Sequence, residues 1–128
     1  AQAVLAQAAS TEMPVGDSQP TTGEFDPASA LHSTPKTFEG AVDLYDGWAS
    51  SYDATLLGWG YDAHLRTAGL LQKHAPEALD QPVLDVGCGT GLSGEAAAAL
   101  GYRRLVGADC SAVSLRLLYR KTVLTGST

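Results

Sequence analysis

The sequence reads as an α/β chain built on a doubly wound parallel sheet. Three features carry that reading. Val83-Leu84-Asp85-Val86, opened by Pro82 and closed by Gly87, is a short apolar run of the kind that forms a buried parallel strand. A glycine-rich stretch, Gly87-Cys88-Gly89-Thr90-Gly91, follows at once and leads into an Ala-rich helical segment. Arg104-Leu105-Val106-Gly107-Ala108 then repeats the strand signal, so a right-handed parallel crossover is the strong default.

Residues 1–37 are expected to form a disordered tail or linker and residues 38–128 the folded domain. The first 35 residues carry four acids, no Lys or Arg and a single aromatic, too little apolar surface to offset the entropy of ordering. Residues 10–37 are rich in Pro, Ser, Thr and Gly and have neither helical nor alternating periodicity. After Gly40, Val42, Tyr45, Trp48 or Ala49 and Tyr52 recur at three- and four-residue steps, which predicts a first helix. Gly58 and Gly60 break it, and Tyr61, Leu65, Ala68 and Leu71 predict a second that Pro76 helps to end. Two helices thus precede the first strand. Beyond the glycine stretch, Leu92 to Leu100 predicts a helix with Gly101 placed as its C-terminal cap. The second strand ends at Asp109, and Ser111 is placed to cap a further helix containing Val113, Leu115 and Leu118. With only two strands before Thr128, the sheet is expected to be truncated after the second strand and its helix, as in a fragment or trimmed chain.

Composition excludes several function classes. The longest purely apolar run, Ala96 to Leu100, is far below the roughly 18 residues of a membrane span, so no membrane is expected. Residues 1–9 lack the leading positive charge of a secretory signal, and the four acids of the tail argue against a transit peptide. A soluble protein is expected, with an intracellular setting favoured, although nothing in the tail fixes the compartment. Net charge is 8 − 14 = −6, and residues 36–128 alone balance to 8 − 10 = −2, so nucleic acid is not an expected partner. Cys88 and Cys110 have no metal-ligand spacing, and His64 and His74 fall on opposite faces of a helix, so no metal site is expected. Oligomeric state is not encoded in any pattern of the sequence.

The glycine stretch lies where ligands bind in α/β chains, past the carboxyl end of a strand and at a helix N-terminus whose free amides favour an anionic group. Glycines there permit positive φ and close approach of a ligand to the backbone. Asp109, at the end of the next strand, is placed to accept hydrogen bonds from a ribose diol. The pattern is GxGxG: Leu92 stands where a dinucleotide fingerprint has its third glycine, which makes an NAD-binding oxidoreductase domain the weaker alternative. No Lys occurs between Lys73 and Lys121, which excludes a P-loop. Cys88 has no identifiable base partner, and Ser111 reads as a helix cap rather than a nucleophile. Arg103, Arg104, Arg116, Arg120 and Lys121 read as solvated side chains rather than an anion site. No residue stands out as a catalytic base.

Val83 to Gly91 resembles motif I of class I S-adenosylmethionine-dependent methyltransferases, and Leu105 to Ser111 is similar to the second-strand motif that follows it. Upstream, Tyr45-Asp46-Gly47-Trp48-Ala49-Ser50-Ser51-Tyr52-Asp53 and Gly60-Tyr61 resemble the leading helices of small-molecule methyltransferases with a YDxWAxxYD segment. The likeness covers about residues 38–124 and implies a Rossmann-like fold, S-adenosyl-L-methionine as cofactor and a small-molecule methyl acceptor. It implies that Asp85 holds the cofactor's ammonium and that Gly87, Cys88, Gly89, Thr90 and Gly91 pack against it. Asp109 and Cys110 would lie at the ribose, with Tyr45 and Tyr52, and Trp48 beside them, as lid or pocket residues. Because a full methyltransferase sheet has seven strands, the likeness also implies an incomplete domain, and a non-catalytic fragment that binds cofactor or a partner is the second alternative.

Overall fold

A computed structural model of the chain describes residues 5–6, 29 and 35–125. Most of the expected tail therefore lies outside the described residues. The elements run β1 (Leu5–Ala6), α1 (Phe38–Trp48), α2 (Tyr52–Gly58), α3 (Ala63–His74), β2 (Pro82–Val86), α4 (Leu92–Ala99), β3 (Arg104–Ala108) and α5 (Ala112–Thr125). The protein is mixed α/β, with five helices and a parallel sheet in the order β1-β3-β2 among the described residues. β2 and β3 are paired along their full length, Val83 opposite Leu105 and Asp85 opposite Gly107. β1 pairs with the other edge of β3, a strand that the sequence gives no periodic signal for.

Among the described residues three helices precede β2, not two. Thr37 caps α1 by accepting the Gly40 amide at 3.1 Å. The helix then stops at Trp48, because the Ser51 amide turns back to the Trp48 carbonyl at 3.0 Å and the Ser51 hydroxyl leans on the same oxygen. Serine side chains compete for backbone groups in this way, and here they split a continuous apolar periodicity in two. α2 restarts from Ser51, whose carbonyl accepts the Thr55 amide at 2.9 Å.

The helical layer covers one face of the sheet. Strand alternation turns Val83 and Asp85 of β2, and Leu105 and Gly107 of β3, towards the helices. Ala97, Tyr102 and Leu105 form one buried cluster, sealed by Val83, Leu71 and Leu79, and Cys88, Leu115 and Leu118 form another. Tyr102 is completely buried and donates its hydroxyl to the Ala75 carbonyl at 2.8 Å. On the other face Leu84 and Val86 are 62% and 77% exposed. Among the described residues the helices thus pack on one face of the sheet, an arrangement compatible with a truncated α/β fold.

Candidate functional site

The turn after β2 runs through three glycines with left-handed backbone, Gly87 (φ 74°), Gly89 (φ 52°) and Gly91 (φ 98°). Only glycine adopts these angles freely. The loop is tied to the end of β3, where the Ala108 carbonyl accepts the Gly87 and Cys88 amides at 2.7 and 3.1 Å. Asp109 completes the link: Oδ2 accepts the Gly89 amide and Oδ1 the Ser111 amide, both at 2.8 Å. Asp109 is therefore neither a solvated acid nor free; it joins the glycine loop to the start of α5.

Above this framework lies a cavity of about 300 Å³. Tyr45 and Tyr52, from α1 and α2, form one wall, and Gly87, Gly89 and Thr90 form the floor. Asp109, Cys110 and Ser114 close the far side. Seven of the ten residues singled out in the sequence thus meet in one space. Ser114 was not among them, although a serine three residues after a capping serine, facing the same side of the first helical turn, is the signal that could have found it.

The other three lie below the loop. Asp85, Cys88 and Gly91 line a smaller cavity of about 120 Å³, enclosed by α4, α5 and the sheet. Asp85, expected beside a ligand ammonium, faces this inner space, and its Oδ2 is buried without a hydrogen-bond partner. Burial, and secondarily the charge of Asp109, pushes its carboxyl above the ordinary range. Cys88 is packed against Gly107, Leu115 and Leu118, and burial pushes its thiol up to about 11, which fits a core role and not a nucleophile. Trp48 likewise belongs to the core: it is 2% exposed, stacked beside Tyr45 and edge-on to Tyr52 at 4.7 Å.

Charged contacts unforeseen in the sequence hold α1 and α2 over the cavity. Ser111 is buried, donates its hydroxyl to Asp46 Oδ1, and accepts the Ser114 amide at 3.0 Å, so it is a cap as expected and also an anchor. Asp53 accepts the Thr90 hydroxyl on Oδ1 and the Lys121 ammonium on Oδ2. Lys121 further donates to the Thr90 carbonyl at 3.0 Å and to Glu95 at 2.9 Å. Read from sequence as part of a solvated face, Lys121 is instead half-buried; burial works against its charge, but the bonds to Asp53 and Glu95 outweigh this and lift its pKa. Arg104, Arg116 and Arg120 are exposed as expected, and Arg103 pairs with Asp80 at the surface. His64 is buried, stacked on Tyr61. Among the described residues no group of three or more His, Cys, Asp and Glu could hold a metal ion, and no helix is long and apolar enough to cross a membrane.

No family model matches the chain, and neither a curated protein nor a solved structure is significantly similar to it.

Proposed function

We propose that the upper cavity binds S-adenosyl-L-methionine and that the chain supplies the cofactor-binding part of a Rossmann-like methyltransferase domain acting on a small-molecule acceptor. The observation that carries this reading is the position of the Asp109 carboxylate on the Gly89 and Ser111 amides. In a dinucleotide site glycine-loop amides such as that of Gly89 would be kept for pyrophosphate. Here a carboxylate already occupies the Gly89 amide, and a second negative group beside it would be repelled. The floor of the cavity therefore suits a nucleoside without phosphates, whose ribose hydroxyls donate to the lone pairs that Asp109 has left.

The remaining residues fit the same ligand. Gly87 and Gly89 have no side chain to keep it from the backbone, and Tyr45 and Tyr52 offer aromatic surface to a positively charged sulfonium. When bound, the cofactor supplies a methyl group already activated by positive sulfur. The protein's task is then to orient and to exclude water. Burial first, and then nearby Tyr61, Tyr45, Asp53 and Asp109, raises the Tyr52 phenol above its usual value, so Tyr52 is neutral at physiological pH and acts as a wall and hydrogen-bonding group, not as a base. Asp85, below the loop, has no part in this binding scheme.

Calorimetric titration of the whole chain with S-adenosylmethionine, S-adenosylhomocysteine and NAD tests the proposal. Saturable binding of the first two, lost in Asp109→Ala, is expected. A folded chain that binds only NAD, or binds none of the three, overturns it.

A further inference from the structure

We infer that the two Tyr-Asp pairs, Tyr45-Asp46 and Tyr52-Asp53, act as a duplicated clamp in which each aspartate fastens its helix to the glycine-loop framework and thereby holds the tyrosine before it at the cavity wall. The inference rests on the upper cavity being the ligand site, and it assigns to Asp46, Asp53 and Lys121 a positioning role that the cavity lining alone does not suggest.

The geometry is the same twice over. Adjacent helical residues point about 100° apart, so a Tyr turned to the cavity leaves the following Asp turned to the framework. In α1, Asp46 accepts the hydroxyl of Ser111, a residue 1% exposed, at the start of α5. In α2, both oxygens of Asp53 are used, by the hydroxyl of Thr90 in the glycine loop and by Lys121 of α5. Thr90 is buried as well, at 3% exposure. These contacts span 65, 37 and 68 residues of sequence, so they are tertiary fastenings and not local helix pairs. An exposed ion pair would contribute little, but each of these carboxylates sits against a buried hydroxyl. The aromatic contacts among Tyr45, Trp48, Tyr52 and Trp59 bind α1 and α2 to each other. The aspartates connect that unit to the loop beneath.

Two independent readouts test the clamp. In the first, S-adenosylmethionine is titrated into Asp53→Asn and Lys121→Met, and each is expected to weaken binding about tenfold, a coupling of ordinary size for a tertiary network. Lys121→Arg, which keeps a cation of similar reach, is expected to restore most of the affinity. In a Tyr52→Ala background Asp53→Asn is expected to have no further effect, because its influence passes through Tyr52. Affinities within twofold of wild type for both single variants, or an undiminished effect of Asp53→Asn without Tyr52, overturn the clamp. The second readout needs no ligand: the Tyr52 phenol is titrated spectroscopically, with Tyr52→Phe as the blank, in wild type and in Lys121→Met. Tyr61, Tyr45, Asp53 and Asp109 are the titratable groups that raise it besides burial. Removing a cation by itself raises a phenol pKa, whereas release of α2 exposes the ring and lowers it. A fall towards the ordinary value is expected, and an unchanged or higher value overturns the clamp. Wild type that fails to bind S-adenosylmethionine removes the proposed function, and the titration then decides the clamp alone.

Discussion

Glycines of the loop satisfy two different demands. Gly87 and Gly89 have open space where a Cβ would stand, so backbone angle alone restricts them. Gly91 has both a left-handed backbone (φ 98°) and Leu118 pressed against the place a Cβ would take. Gly91→Ala should therefore destabilise the protein by roughly 2–4 kcal/mol, the sum of left-handed strain and overpacking, whereas Gly89→Asn should cost about 1 kcal/mol because Asn tolerates that region. Urea denaturation separates the two; equal costs would mean that the loop relaxes away from Leu118. The two cysteines differ as sharply. With its thiol pushed up to about 11, Cys88 is thiolate in about one molecule per thousand at pH 8, and it is buried, whereas Cys110 is exposed. Alkylation of the native chain with iodoacetamide at pH 8, followed by peptide mass mapping, should label Cys110 alone, and label on Cys88 at a comparable rate would contradict its place in the core.

At the scale of elements, the span from β2 to the start of α5 was legible in the sequence because each piece is encoded locally. Pro82 and Gly87 bracket a strand, Gly101 (φ 100°) ends α4, and Ser111 caps α5. The break between α1 and α2 was not legible, since Trp48 and Tyr52 maintain helical spacing across it and only the Ser51 hydrogen bonds disclose it. The pairing of Lys121 with Asp53 was missed for a related reason: the two lie 68 residues apart, and no local pattern pairs them. Asp85 in β2 is a local match whose placement was not predictable, because strand alternation sends it under the loop, to the face that also holds Val83. Its carboxyl pKa is raised, so the folded state holds the proton more tightly than the unfolded state. Ionisation of Asp85 therefore subtracts stability as pH rises from the ordinary carboxylate range through the raised value, and the loss persists above it. Asp85→Asn should raise the melting temperature at pH 7 and leave it unchanged near pH 3. A variant less stable at pH 7 would show that the Asp85 charge has a favourable partner.

For the molecule as a whole, the one-sided helical layer has physical consequences. Leu84 and Val86 are exposed and alternate with the half-buried Val83 and Asp85, and the outer edge of β2 is unpaired among the described residues. A strand with two large apolar side chains on an open face, next to a free edge, presents both apolar surface and unpaired backbone groups. The adjacent cavity does not depend on that face, because its walls come from α1, α2, the glycine loop and the start of α5. Ligand binding and exposure of the sheet should therefore be separable. The wild-type chain is expected to enhance the fluorescence of a hydrophobic dye such as anilinonaphthalene sulfonate and to sediment with rising weight-average mass as concentration increases. Leu84→Thr with Val86→Thr keeps strand preference while removing apolar surface, and should suppress both signals. Because both positions are exposed, stability should change by no more than about 0.5 kcal/mol for each substitution, and S-adenosylmethionine affinity should stay within twofold. A wild-type chain that binds no dye and stays monomeric would contradict an open apolar face; loss of ligand affinity in the double variant would mean that this face and the cavity are coupled through β2.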